Sequence, residues 1–142
     1  MNIFLHSGSL TEFSDCISQI VSLGGFVYMS AQTGKGDTIE KQAQSCIEKV
    51  IDAADEFGLQ LYHFVKFTIY LTDMADKETF MNVFSTYLEP PYPAATFLEV
   101  KGLENGAMVA MEAFGLDTTR HEKMTKDKAC KEGCCSDSSC SC

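Results

Sequence analysis

A chain of 142 residues, 45% of them hydrophobic and with a net charge of −9, is long enough for one domain with its own core. No apolar run approaches the ~20 residues that cross a bilayer. Met1 to Leu10 lacks a basic segment followed by an apolar stretch, so no signal peptide is expected and the cytoplasm is the default location. The acidic balance repels polyanions. With Arg120 as the one arginine, it argues against a nucleic-acid partner, which would be held by Lys and Arg on its phosphates.

In chain order, Met1 to His6 alternates weakly, as a short strand would. Cys16 to Val21 is a second candidate strand, ended by Leu23-Gly24-Gly25. Phe26 to Thr33 is rich in β-favouring residues, and alternation puts Phe26, Tyr28, Ser30 and Gln32 on one face. Ile39, Ala43, Cys46, Ile47, Val50, Ala54 and Phe57 then recur at helical spacing. Asp37 and Glu40 have the spacing of a capping box, and Gly58 is placed to stop the helix.

Phe64 to Leu71 is the clearest strand pattern. Asp73 or Asp76 is set to cap a second helix with the stripe Phe80, Val83, Phe84 and Tyr87, and Pro90-Pro91 is expected to end it. Thr96 to Lys101 reads as a strand, Glu104-Asn105-Gly106 as a turn, and Ala107 to Phe114 as the last strand. Met108, Ala110, Glu112 and Phe114 share one of its faces.

This order predicts an α+β domain over residues 1–116, a mixed β-sheet of about six strands with two helices packed on one face. The other face keeps apolar side chains without a helix to cover them, which predicts a homo-oligomer. Residues 117–142 hold almost no aliphatic side chains and are expected to stay unstructured unless a metal orders them.

Lys66 and Glu112 each interrupt an apolar strand, either as a catalytic or ligand-gripping pair or as a solvated or cross-strand ion pair. Ser30 lacks the glycines of a nucleophile elbow. Cys46, on the helical stripe, reads as a packing residue; Cys16 is open to packing or a reactive role. His6, His63 and His121 form no ligand spacing and read as surface or helix-end residues. Cys130, Cys134, Cys135, Cys140 and Cys142 crowd the tail. Their Cys-Cys and Cys-x-Cys pairs suit Zn or Cu(I) on soft sulfur ligands, or the tail carries no metal at all.

Several strings together resemble a known family. They are Gly25-Phe-Val-Tyr-Met-Ser30-Ala-Gln32, Val65-Lys66-Phe-Thr-Ile-Tyr70-Leu-Thr-Asp73-Met74, Phe80-Met-Asn82-Val-Phe84, Pro93-Ala94-Ala95-Thr96 and Glu112-Ala113. Five such marks in order over roughly Ile17 to Gly115 resemble the RidA family, also called YjgF or reactive-intermediate deaminases. The resemblance implies a chorismate-mutase-like fold and a homotrimer with three inter-subunit clefts. It also implies hydrolysis of enamines and imines to 2-keto acids and ammonia without a cofactor. In family members an arginine grips the substrate carboxylate with its planar fork, a glutamate positions water and a tyrosine helps close the cleft.

Here Ala95 stands at the arginine position, Ala110 at the glutamate position, Ile17 near the tyrosine position, and Ala31 replaces the glycine after Ser30. The resemblance places Ile17, Ser30, Ala31, Asn82, Ala95 and Phe97 along the cleft, with Glu112 and Ser30 as substitute catalytic groups. The expected function is a homotrimer binding a small metabolite between subunits, without arginine-dependent deamination. An imine deaminase or related hydrolase with a non-standard site, and a metal- or thiol-handling protein working through its tail, are the alternatives.

Overall fold

The computed structural model describes residues 17–119 together with Glu122 and Lys123. The strand expected at Met1 to His6, and Cys16, His121 and the five tail cysteines, lie outside the described residues. The elements are β1 (Ile20–Leu23), β2 (Phe26–Thr33), α1 (Ile39–Asp55), β3 (Phe64–Leu71), α2 (Lys77–Ser85), β4 (Ala94–Glu99) and β5 (Val109–Leu116). The described residues form one sheet of five strands in the order β1-β2-β5-β3-β4. All its pairs are antiparallel except β3 with β4, which are joined by the α2 crossover.

Three strands sit a few residues from their expected places: β1 starts at Ile20, β4 at Ala94 and β5 at Val109. Gly24 and Gly25 both have positive φ, 58° and 87°, as a two-residue hairpin between twisted strands requires.

The helix ends correct two expectations. Asp37 does not cap α1. The cap is Thr38, whose backbone is extended and whose hydroxyl accepts from Lys41 N at 3.3 Å. Asp37 lies one residue too early and pairs instead with the Lys41 ammonium at 2.9 Å, which holds its carboxyl below the usual range. At the other end Gly58, with φ 72°, lets Leu59 N reach Ala54 O at 2.9 Å, closing the helix as expected. Asp73, not Asp76, supplies the side-chain cap ahead of α2, accepting from Ala75 N at 2.9 Å. That helix stops at Ser85, before Pro90-Pro91. The Ser85 and Thr86 hydroxyls turn back on the carbonyls of Asn82 and Val83 at 2.9 and 2.7 Å, so Tyr87 lies beyond the helix.

The core fills the space between the helices and one sheet face. Phe67, Ile69 and Leu71 of β3 and Val109 and Met111 of β5 are fully buried with Ile47 and Val50 of α1 and Phe80 and Phe84 of α2. Phe67 meets Phe84 edge-on at 5.2 Å. Cys46 packs here as expected: its thiol donates to Gln32 O at 3.0 Å, and burial pushes its pKa up to about 12.

β2 carries a bulge, since its register with β5 shifts between Met29 and Gln32. Alternation alone puts Gln32 with Tyr28 and Ser30 on the open face. The bulge turns it inward instead, to 4% exposure, where its amide bonds Ser30 O at 2.8 Å and accepts from Gln19 at 3.2 Å.

Phe67→Ala is expected to cost about 3–5 kcal/mol of stability. Thr38→Ala is expected to cost about 1 kcal/mol, and Asp37→Ala clearly less than Thr38→Ala. Urea unfolding midpoints at matched protein concentration check all three. Equal costs at positions 37 and 38 would contradict the assigned cap.

Candidate functional site

The open face of the sheet is divided by chemistry. Leu23, Phe26, Phe114 and Leu116 make one end apolar, with Phe26 stacked on Phe114 at 6.1 Å. Towards the other end, Ser30, Lys66, Thr68, Tyr70 and Glu112 make it polar. There a hollow of about 520 Å³ opens above the sheet. Its floor is Tyr70 of β3 with Ala110 and Glu112 of β5. Its wall is the bulged stretch of β2, Ser30 to Thr33, and its rim is Ile17 and the Leu103 to Asn105 loop. The bulge builds this wall, because it presents Ser30 and Ala31 outward in succession while Gln32 closes the base.

Glu112 lies opposite Thr68 in the register, one pleat from Tyr70. The Tyr70 hydroxyl therefore reaches it diagonally and donates to Glu112 Oε1 at 2.8 Å. That bond, followed by burial and the charge itself, raises the Tyr70 pKa. Lys66 does not pair with Glu112. Its ammonium donates to Thr96 Oγ1 on β4, so the two make separate contacts rather than a cross-strand ion pair. A second hollow of about 410 Å³ on the same face shares Ser30 and Glu112 with the first and includes Lys66.

Within one chain the structure brings Ile17, Ser30, Ala31 and Glu112 together around the first hollow and leaves Asn82, Ala95 and Phe97 elsewhere. Asn82 lies in a shallow depression on α2 beside Thr79 and Tyr87. Ala95 is exposed on the edge strand β4. Phe97 packs edge-on against Phe80 at 5.9 Å, with the Lys77 ammonium 5.0 Å over its ring. Sequence reasoning missed Tyr70, whose role follows from the β3–β5 register, and Asn105. The signal for Asn105 was the Asn-Gly turn, where Asn105 takes φ 57°.

No cluster of three or more His, Cys, Asp or Glu side chains that could hold a metal occurs among the described residues. His63, expected at the surface or at a helix end, closes a single 3-10 turn, Leu61–His63, and is buried there. Its Nδ1 accepts from Gln60 N at 2.8 Å, and its Nε2 lies 3.0 Å from Glu122 Oε1. Hydrogen bonds from Thr118 first, and then His63, hold the Glu122 carboxyl below its ordinary range. The chain just past β5 is thereby fastened to the domain.

A one-sided mixed sheet with two helices behind it and a polar hollow on its bare face defines a RidA-like α+β domain. Residues 11–116 match the family model described as Endoribonuclease L-PSP, and the chain belongs to that family, the RidA/YjgF proteins. It is 33% identical over 104 residues to the RutC family protein y4sK of Sinorhizobium fredii, covering 68% of this chain and 82% of that one. It is 30% identical over 110 residues to the 2-iminobutanoate/2-iminopropanoate deaminase of Mus musculus, covering 70% and 79%. The crystal structure of RidA from an Antarctic Psychrobacter aligns with a TM-score of 0.74 at 27% identity, covering 80% of this chain and 98% of that one.

Glu112→Gln is expected to lower the ionisation midpoint of Tyr70 towards the ordinary tyrosine value, because the carboxylate is the main cause of the rise. The difference in tyrosinate absorbance between each protein and its Tyr70→Phe counterpart isolates this phenol. An unchanged midpoint would contradict the contact.

Proposed function

We propose that this chain assembles as a homotrimer that binds a small metabolite in clefts between subunits, without cofactor and without the arginine-dependent imine deamination of its relatives. The observation that carries this reading is Ala95. It occupies the Pro-Ala-Arg position on an exposed strand, and the chain's one arginine, Arg120, follows the last strand in the sequence. An unpaired substrate carboxylate in a closed cleft loses a two-pronged ionic contact, worth about 2–5 kcal/mol. That is a loss of roughly thirty-fold to several thousand-fold in binding or rate.

Two features support the trimer. The open sheet face exposes Phe26, Tyr28 and Leu98, each more than two-fifths accessible. Asn82, Ala95 and Phe97, cleft positions by family likeness, lie away from the hollow that holds Ile17, Ser30 and Ala31. A cleft assembled from two subunits reunites the two sets.

In a coupled assay, a threonine dehydratase generates the enamine and semicarbazide traps the imine. This protein is expected to leave the rate of semicarbazone formation unchanged. Competition with the trap at catalytic protein concentrations would overturn the reading. Light scattering is expected to give three times the chain mass, and a monomer would remove the cleft.

The tail supports a second, separable activity. Five thiols within Cys130 to Cys142 match the density of soft-metal clusters, and we propose that they take Zn or Cu(I). Titration of the full chain with thiol counting is expected to show tight binding that is lost when the five cysteines become serine. Absence of binding by the reduced protein would remove this activity.

A further inference from the structure

We infer that the hollow above Tyr70 and Glu112 selects a small organic cation — an ammonium, iminium or amidinium group on a short apolar body — rather than a carboxylate. The inference rests on the cleft reading above and names its ligand class.

The hydrogen-bond directions carry it. Three side chains that line the hollow spend a donor on the protein itself. The Ser30 hydroxyl donates to Ser18 O at 2.9 Å, the Gln32 amide to Ser30 O at 2.8 Å, and the Tyr70 hydroxyl to Glu112 Oε1 at 2.8 Å. A hydroxyl that has given its proton can only accept. Ser30 Oγ and Tyr70 Oη therefore face a ligand with lone pairs, as does Glu112 Oε2, which has no partner among the described residues. Glu104 adds a second carboxylate at the rim, while Asn105 and Thr33 can donate or accept and set no sign.

No Lys, Arg or His lines this hollow among the described residues. Lys66, the lysine on this face of the sheet strands, belongs to the adjoining hollow and donates to Thr96. An anion here would meet carboxylates and lone pairs; a cation would meet acceptors already oriented. Ile17, Ala31, Leu103 and Ala110 supply an apolar wall for its body. On the cleft reading the opposing subunit contributes Ala95, which brings no charge.

The test uses the full-length protein and three probes of matched size: butylammonium, butyramide and butyrate, titrated by protein NMR shifts. Butylammonium is expected to bind about tenfold tighter than butyrate, the worth of one charge-assisted hydrogen bond. Glu112→Gln is expected to weaken butylammonium about tenfold and to leave butyramide within about twofold. Light scattering and the unfolding midpoint confirm that the variant is folded, and if it is not, the wild-type order of affinities decides alone. Equal or tighter binding of butyrate, or a trimer that binds none of the three probes, would overturn the inference and leave the trimer standing. A monomer that still prefers butylammonium would overturn the cleft and leave the inference standing.

Discussion

Both helices of this domain lie on the same side of the sheet, and the uncovered side carries both its exposed apolar side chains and its polar hollow. Burying a Phe, Val or Leu side chain is worth about 1.5–3 kcal/mol, and the bare face offers several. That surface is not uniform. Phe114 stacks with Phe26 and lies 5.0 Å from Tyr28 near the C-terminal end of β5, whereas Glu112 and Tyr70 mark its polar stretch. An apolar patch grading into a polar hollow suits a contact that buries one end and leaves the other as a cleft. Seating and binding would then share one surface, divided by the direction of β5.

The scaffold was legible in the sequence because its signals are local. The helical stripe from Ile39 to Phe57, the β3 run and the Gly24-Gly25 turn each follow from a period or a glycine. The start of the first helix was misread for a local reason as well. Two residues that cap well, Asp37 and Thr38, sit side by side at its boundary, and sequence does not say which backbone is extended. The site was less legible because its geometry is non-local. Gln32 turns inward through a bulge defined against β5, and Tyr70 meets Glu112 through a diagonal that exists only once β3 and β5 are in register. The burial of His63 was not legible because its partner, Glu122, lies 59 positions away.

Likeness to the family and departure from it fall on different parts of the molecule. The matching strings carry strands, turns and the stripe of α2, which any member of the fold needs. The departures, Ala95 and Ala110, fall on the groups that read charge. Replacing a guanidinium and a carboxylate by methyl groups leaves folding untouched, since both positions sit on strands that alanine tolerates at modest cost. With Glu112 intact and its partner a phenol rather than a cation, the hollow above Tyr70 has carboxylates but no cation among its described lining residues. A retained backbone with different side chains at these two positions is what the separation of function from fold allows.

One side chain shows how the hollow keeps its shape without those charges. Gln42, buried on the first turns of α1, donates to Gly36 O at 2.9 Å and accepts from Met108 N at 2.7 Å. It ties the exit of β2 to the entrance of β5, the two strands that supply the wall and floor. Gly34 makes this approach feasible: a Cβ there would lie 2.3 Å from the Gln42 carbonyl oxygen, so only glycine lets the helix settle so close. A buried amide satisfied at both ends costs little to keep and much to break. The wall and floor of the hollow are thus held by the β2–β5 ladder and an uncharged brace inside the domain rather than by an ion pair between them.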